Sequence, residues 1–297
     1  MTEALAQTAS VAVTVFAVSS MLSVGLAYTI REILSPLREA RAIFRALVAN
    51  FVLVPLLALG IVRVFPMDPS LALGLFLLAG SAGAPFLIKL AGAAKTDLAL
   101  SAGLLVLLVP ATVAFLPFYV PLAMAHPSLR GLSYVPSGVV ELGLPLLSTL
   151  ILPLLLGVVV KTVAPRRAAR LVPIGGKVST VAVVLVMVAT FGANVHQLIA
   201  IVRTGAVVAG VLLVLGAFVS GFLLSRRERR VVLGLGTAQR NVAAAMVLAA
   251  RDFKDPDVLV MVTATTLAGM FVLFPIAWLL SRHAPHVGLP TAEGAPA

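Results

Sequence analysis

The sequence predicts an all-α polytopic membrane protein of about nine transmembrane helices, and three observations carry that reading. Hydrophobic residues make up 61% of the 297 and charged residues only 11%, with a mean hydropathy of +1.12, more apolar surface than a water-soluble core uses. The apolar residues also lie in long continuous runs, and a helix rising 1.5 Å per residue needs about 20 of them to cross ~30 Å of hydrocarbon. Finally, the arginines and lysines gather in alternate connections between these runs.

The runs fall at about 8–30, 41–65, 70–94, 97–124, 139–163, 174–198, 203–225, 230–251 and 257–281. The first is read as a retained helix, because Glu3 is the only charge before it and a cleaved signal needs a basic start. The connections are too short for a soluble domain, so residues 1–281 form a single transmembrane unit. The end of the chain, 282–297, is rich in Pro, Gly and Ala and reads as a disordered cytoplasmic tail.

Composition excludes several functions. With no cysteine there is no disulfide, thiolate metal site or thiol nucleophile. The net charge of +11 suggests nucleic acid, but no soluble basic domain is present to hold it. The charge instead sets topology. Arg31, Arg38, Arg41 and Arg45 follow the first run; Lys161, Arg166, Arg167, Arg170 and Lys177 follow the fifth; Arg226, Arg227, Arg229 and Arg230 follow the seventh. Lys95 and Arg282 fall on the same side. The positive-inside rule then puts the N-terminus outside and the C-terminus in the cytoplasm, and the localisation is an integral membrane protein of a bacterial inner membrane type.

Two runs read as broken. AGSAGAP, Ala79 to Pro85, puts glycines, a serine and a proline in the middle of the third; GTAQRN, Gly236 to Asn241, puts the most polar triplet of the chain in the middle of the eighth. Gly80 and Gly236, Asp97 and Asp257, and Pro117 and Pro275 pair at offsets of about 156 to 160 residues. Helices 1 to 4 therefore correspond to helices 6 to 9, giving repeats at about 8–124 and 139–281, with the fifth run unpaired. A shift of five helices inverts the second copy. Inverted repeats with matched broken helices point to a secondary transporter whose site lies at the midplane, because non-helical backbone at that depth must face protein or a water-filled cavity. Small residues at 79–84 also permit plain close packing, and the polar triplet at the matched position weighs against that simpler account.

These residues resemble the bile acid:sodium symporter family. Asn50-Phe-Val-Leu-Val-Pro55 is similar to its Gln-Phe-x-x-Met-Pro, LAGSAGAP stands at its Pro-Gly-Gly-Thr-x-Ser-Asn break, Asp97-Leu-Ala-Leu-Ser101 matches Asp-Val-Ala-Leu-Ser, and Ala238-Gln-Arg-Asn-Val-Ala-Ala-Ala looks like its Gln-Asn-x-x-Leu-Ala helix. The resemblance implies a core domain in which two broken helices cross, a panel domain beside it, an organic anion, bile acid-like or a small carboxylate, bound between them, and sodium as coupling ion behind the crossing. It assigns cation-binding roles to Asn50, Ser101 and Gln239. The sequence departs from the family pattern at Pro85, Leu105 and Leu235, where side-chain oxygens are expected, and the acidic residues of the runs, such as Asp97 and Glu141, sit only at their ends, although a hard cation favours ionised oxygen ligands.

Arg240 is the residue that most needs a role, lying about 15 Å from either surface at ~1.5 Å per residue, beyond easy snorkelling. A cation there costs about 2.5 to 3.5 kcal/mol unless it faces a cavity or partner. Three readings stay open: it donates to carbonyls freed by the break in helix 3, it binds the substrate anion directly, or its charge stands where relatives hold sodium. The candidate substrate-binding residues are Arg240, Asn241, Ser81 and Thr237. Lys89, nearer the surface, is expected to snorkel, and His196, with Asn194 and Gln197, to cap a helix end.

The expected function is a secondary active transporter of an organic anion, working by alternating access with or without sodium coupling. The alternative is a sodium-independent carrier, proton-coupled or facilitative, in which Arg240 replaces the sodium charge. A membrane enzyme needs a nucleophile and base or a metal cluster at one depth, and the four histidines do not supply one. No catalytic residue, metal or cofactor is expected beyond a coupling sodium ion. The partners are the small anion and the bilayer, without nucleic acid, and the oligomeric state is left open, a monomer being compatible.

Overall fold

The structure, a computed structural model, describes residues 2–29, 31, 40–132, 138–193, 205–226, 229–253 and 255–282. Among these the regular structure is helical throughout: α1 (Thr2–Ala27), α2 (Ala40–Val64), α3 (Pro69–Gly80), α4 (Leu87–Ala93), α5 (Leu98–Met124), α6 (Val139–Val163), α7 (Pro165–Ala193), α8 (Ala206–Leu224), α9 (Arg230–Ala238), α10 (Val242–Asp252) and α11 (Pro256–Ser281). Seven helical stretches are long and apolar enough to cross a membrane: α2, α5, α6, α7 as far as Val186, α8, α9 with α10, and α11. The other two of the nine expected runs fall on apolar helices shorter than a full crossing, Val11–Ala27 and Pro69–Gly80. Residues 194–204 and 283–297, which contain His196 and nearly all of the expected tail, lie outside the described residues.

Local chemistry sets the helix starts. Asp68, Asp97 and Asp255 each cap a helix by accepting from a backbone N–H within the first turn, those of Ser70, Leu100 and Asp257 at 3.0, 2.9 and 3.0 Å. The cap that answers Asp97 is thus Asp255, while Asp257 sits in the first turn. The structure also moves a boundary. The basic stretch after α6 was expected as a connection and is helical from Pro165, since Pro at the first turn of a helix costs nothing.

Two helices carry a π-helical turn, at Ala49–Leu53 in α2 and Leu147–Ile151 in α6, each ending just before a proline, Pro55 or Pro153. Proline lacks the N–H and its ring presses on the carbonyl four residues back. The ladder slips by one residue instead, with Val54 N–H donating to Ala49 O and Leu152 N–H to Leu147 O. Asn50 lies inside the first of these turns and is fully buried.

Packing divides the helices into two neighbourhoods. α1 packs most extensively against α7 and α6, whereas α3, α8, α9 and α11 pack mainly with one another and with α2, α4, α5 and α10. In the first group the α1–α6 crossing is tight enough that a Cβ on Gly157 would sit 2.5 Å from Leu22 O, the small-residue contact that replaces hydrophobic driving force inside a bilayer. In the second, α9 and α10 run through the centre, with every residue from Val232 to Ala249 buried. Large apolar side chains such as Phe271, Phe118 and Val163 stay exposed on the outer surface, where hydrocarbon would surround them.

Candidate functional site

Helical hydrogen bonding stops at Ser81 and again at Gln239, and the two interruptions face each other. α3 packs against α10 and α4 against α9, so the segments run antiparallel. The main chain joins them directly, Asn241 N–H donating to Ser81 O at 2.9 Å.

Stopping a helix inside a bundle strands its last carbonyls, which must find donors. At the end of α3 the carbonyls of Leu77, Leu78 and Ala79 each find one. Ser81 Oγ donates to Leu77 O at 2.7 Å, and Ser81 N–H to Leu78 O at 3.0 Å. Arg240 supplies the rest, its Nε donating to Leu78 O at 3.0 Å and its Nη2 to Ala79 O at 2.7 Å. Its Nη1 donates twice more, to Asn50 Oδ1 at 2.7 Å and to Thr237 O, in the last turn of α9, at 3.0 Å. The guanidinium is therefore held by four oxygens from three segments, at the carbonyl ends of two short helices, where the helix dipole favours a cation. It keeps one N–H for any further partner.

Asn50 orients this shell. Its Nδ2 donates to Ala46 O at 2.9 Å and to Thr237 Oγ1 at 3.3 Å, leaving Oδ1 aimed at the guanidinium. Asn241 acts on the next helix instead. Its Oδ1 accepts from Ala244 N–H at 3.1 Å and caps α10, while its Nδ2 is buried without a partner. The triplet is thus divided between neutralising helix C-termini and opening the helix that follows. Gln239, also buried, occupies the C-cap of α9. Ser101 is buried but spends its hydroxyl on its own helix, donating to Asp97 O at 2.8 Å. Lys89 is exposed, with Nζ 5.4 Å from the centre of the Phe86 ring.

Two further residues belong to the site and were not singled out from the sequence. Thr112 Oγ1 both donates to Ala82 O and accepts from Ala82 N–H, each at 2.9 Å, pinning the extended chain after α3 to α5. The only hint was a lone hydroxyl in mid-run, which in most helices back-bonds to its own turn. Tyr119 stacks on Phe115 with ring centroids 5.1 Å apart, lies against Gly80, and has a buried hydroxyl without a partner. Gly83 has φ +80°, which lets the chain turn away from α3.

Among the described residues no group of three His, Cys, Asp or Glu side chains is placed to hold a metal ion. No curated protein matches the chain. The sequence model of the Sodium Bile acid symporter family matches residues 14–201, which runs from α1 past the end of α7 and takes in Asn50, the Ser81 interruption and Ser101. With that match over more than half of its length, and apolar helices throughout, the chain is an integral membrane protein of the sodium bile acid symporter family.

Proposed function

We propose that this transporter carries an organic anion by alternating access without sodium, the fixed charge of Arg240 taking the place of a coupling cation. The observation that carries the proposal is the shell around the guanidinium: Asn50 Oδ1 and the carbonyls of Leu78, Ala79 and Thr237. Side-chain and carbonyl oxygens at half-helix C-termini are the groups with which transporters of this kind hold a coupling ion. Here an arginine uses them, and Asn50 has its oxygen committed. Leu105 and Leu235, both fully buried, have no side-chain oxygen to offer.

The same arrangement favours a fixed charge over a direct clamp on the substrate. A bidentate arginine–carboxylate pair needs two parallel N–H donors free, and Arg240 has one left. The substrate would feel the positive charge through the interruption, with the unpartnered Nδ2 of Asn241 and hydroxyl of Tyr119 as nearby donors. In this reading the antiparallel interrupted helices are the centres of two inverted repeats. The group formed by α1, α6 and α7 is the panel against which the rest of the helices, as core, rock. The arginine-rich ends face the cytoplasm by the positive-inside rule.

The experiment is uptake into proteoliposomes of a labelled bile acid and a set of small carboxylates, with sodium replaced by choline at constant pH. Uptake of at least one anion, at a rate indifferent to the replacement, is the expected result. Steep sodium dependence would overturn the fixed-charge reading, and failure to carry any anion would overturn the substrate class.

A further inference from the structure

At the end of the molecule opposite the arginine-rich connections, a cavity of about 500 Å³ opens between the last turn of α2 and the chain that leaves α5. That volume is in the range of small-molecule sites. Arg63 lines it from α2, His126 and Ser128 line the far side, and Val62, Pro66 and Met67 form apolar walls. The His126 ring meets the buried Phe76 of α3 edge-on, centroids 5.8 Å apart, and its Nδ1 accepts from Ser128 N–H at 3.3 Å. That bond puts the ring proton on Nε2. The imidazole is thus held in place with a donor, and no acceptor, left for a ligand.

No carboxylate lies among the lining residues. Asp68, next to Met67, spends Oδ1 on Ser70 N–H in capping α3, and among the described residues nothing holds the Arg63 guanidinium. Residues 133–137 and 194–204, which connect helices at this end and lie outside the described residues, contain no Asp or Glu. Glu3 belongs to α1, which packs on α6, α7 and α10. α8, into which 194–204 lead, packs on the other face of α2. There Leu57 meets Gly216, and Val62 and Arg63 stand five and six residues beyond Leu57, roughly half a turn round the helix at ~3.6 residues per turn.

Arg240 has one N–H left, whereas the fork of Arg63 is whole. A whole guanidinium pairs with a carboxylate through two parallel N–H bonds, and apolar walls favour an anion with a hydrocarbon body over an inorganic one. We infer that this cavity binds an organic carboxylate, bidentate on Arg63, with His126 Nε2 and the Ser128 hydroxyl donating to the same group. It is a second site, separated from the interruption at Ser81 by the 12 residues of α3, and its occupancy does not depend on what the transporter carries. Because its walls are the end of α2 and the turn into α3, a bound carboxylate would brace the two helices that carry Asn50 and the broken end.

The test uses the full-length chain in neutral detergent as Arg130→Cys, its only thiol labelled with a bimane two residues from Ser128. Benzoate is the probe. Benzamide, of the same shape but neutral, and sulfate, an anion without a hydrocarbon body, are the comparisons. Benzoate is expected to change the bimane emission saturably, and the other two to leave it unchanged at the same concentrations. On this background Arg63→Gln is expected to weaken the apparent benzoate affinity about tenfold, the effect of one hydrogen-bonded charge. Arg63→Lys, a point charge without the fork, is expected to fall between the two. Arg166→Gln, exposed at the opposite end, is expected to bind as the parent does. Arg63 is itself exposed, so unfolding midpoints measured alongside are expected to stay level across the set. Unchanged affinity in Arg63→Gln overturns the site, and so does an equal loss in Arg166→Gln, since the effect would then be general surface charge. A response to benzamide equal to that of benzoate overturns the carboxylate, and an equal response to sulfate overturns the organic class.

Discussion

Arg240 Nη1 donates to Oδ1 of Asn50 at 2.7 Å, across 190 residues of sequence. This contact ties the π-turn of α2 to the interruption between α9 and α10, and each residue depends on the other. Without Asn50 the guanidinium keeps only backbone acceptors; without Arg240 the Asn50 oxygen and two carbonyls of α3 lose a donor inside the membrane.

Arg240→Gln is therefore expected to lower stability as well as transport. A buried acceptor left unsatisfied costs about 1–3 kcal/mol, and Leu78 O keeps a second donor in Ser81 N–H whereas Ala79 O and Asn50 Oδ1 rely on the arginine. A loss of roughly 3 kcal/mol or more follows. Arg240→Lys keeps the charge and offers three donors to the same oxygens, so it is expected to retain the fold and part of the uptake. Thermal unfolding and proteoliposome uptake measured on the same preparations check both. Uptake by Arg240→Lys no better than by Arg240→Gln, at equal folded protein, would show that more than a point charge is needed.

Asn50→Asp separates charge from scaffolding. The carboxylate has the same shape, still accepts from Nη1, and turns a neutral acceptor into a charged one. What it loses is the Nδ2 donation to Ala46 O and Thr237 Oγ1, while the site becomes electrically neutral. Folding is expected to survive and anion uptake to fall at least tenfold. Asn50→Leu instead leaves a buried cation short of one acceptor, at a cost of about 1.5–3 kcal/mol, and is expected to lower the unfolding midpoint more than Asn50→Asp does. Full uptake by folded Asn50→Asp would mean that the net charge of this shell does not matter to the substrate.

The close approach at the end of α3 gives a coupled pair. A Cβ on Gly80 would stand 2.5 Å from Tyr119 Cδ1, so Gly80→Ala must displace the ring that stacks on Phe115. Overpacking of this kind costs about 1–3 kcal/mol. The double variant Gly80→Ala/Tyr119→Leu is expected to recover most of that, because the clash with the ring is gone, the unpartnered hydroxyl with it, and the remaining close neighbour, Leu116 Cδ2 at 2.9 Å, is the end of a flexible side chain. Additive losses in unfolding midpoints would show that Gly80 and Tyr119 do not bear on each other.

The membrane class was legible because hydrocarbon thickness imposes a length on each apolar run, and that signal is local. What sequence reasoning located less well was set by partners far along the chain. That Arg240 sits too deep to snorkel follows from counting residues; that its acceptors are Leu78, Ala79 and Asn50 follows from the antiparallel meeting of segments about 160 to 190 residues apart. The π-turn at Asn50 has a visible cause in Pro55, yet proline kinks, π-turns and 3₁₀ turns look alike in sequence. Hydropathy starts the sixth run near 174, but α7 begins at Pro165, because its first turns are polar and helical at once and the apolar signal marks only the later turns, whose apolar side chains are largely exposed on the outer surface. Thr112 carried almost no signal, since its partner Ala82 lies in another helix's broken end.

The last expectation concerns motion. Ser81 and Thr237 are both fully buried, and Thr237 is packed so closely on α8 that a Cβ on Gly221 would lie 2.5 Å from its Oγ1. The arrangement is closed at this level, so an alternating-access carrier must open it from one face at a time. Because the chain has no cysteine, Ser81→Cys and Thr237→Cys give clean single probes. At low temperature both are expected to resist a small water-soluble thiol reagent that labels an exposed control, Arg130→Cys, within seconds. At transport temperature labelling is expected to appear, and to slow severalfold when a transported anion saturates the site, since bound substrate shifts the population among states only through its differential affinity for them. Labelling that never appears while the control reacts would mean that the two interruptions stay sealed throughout the cycle, and the substrate path would have to be sought elsewhere in the bundle.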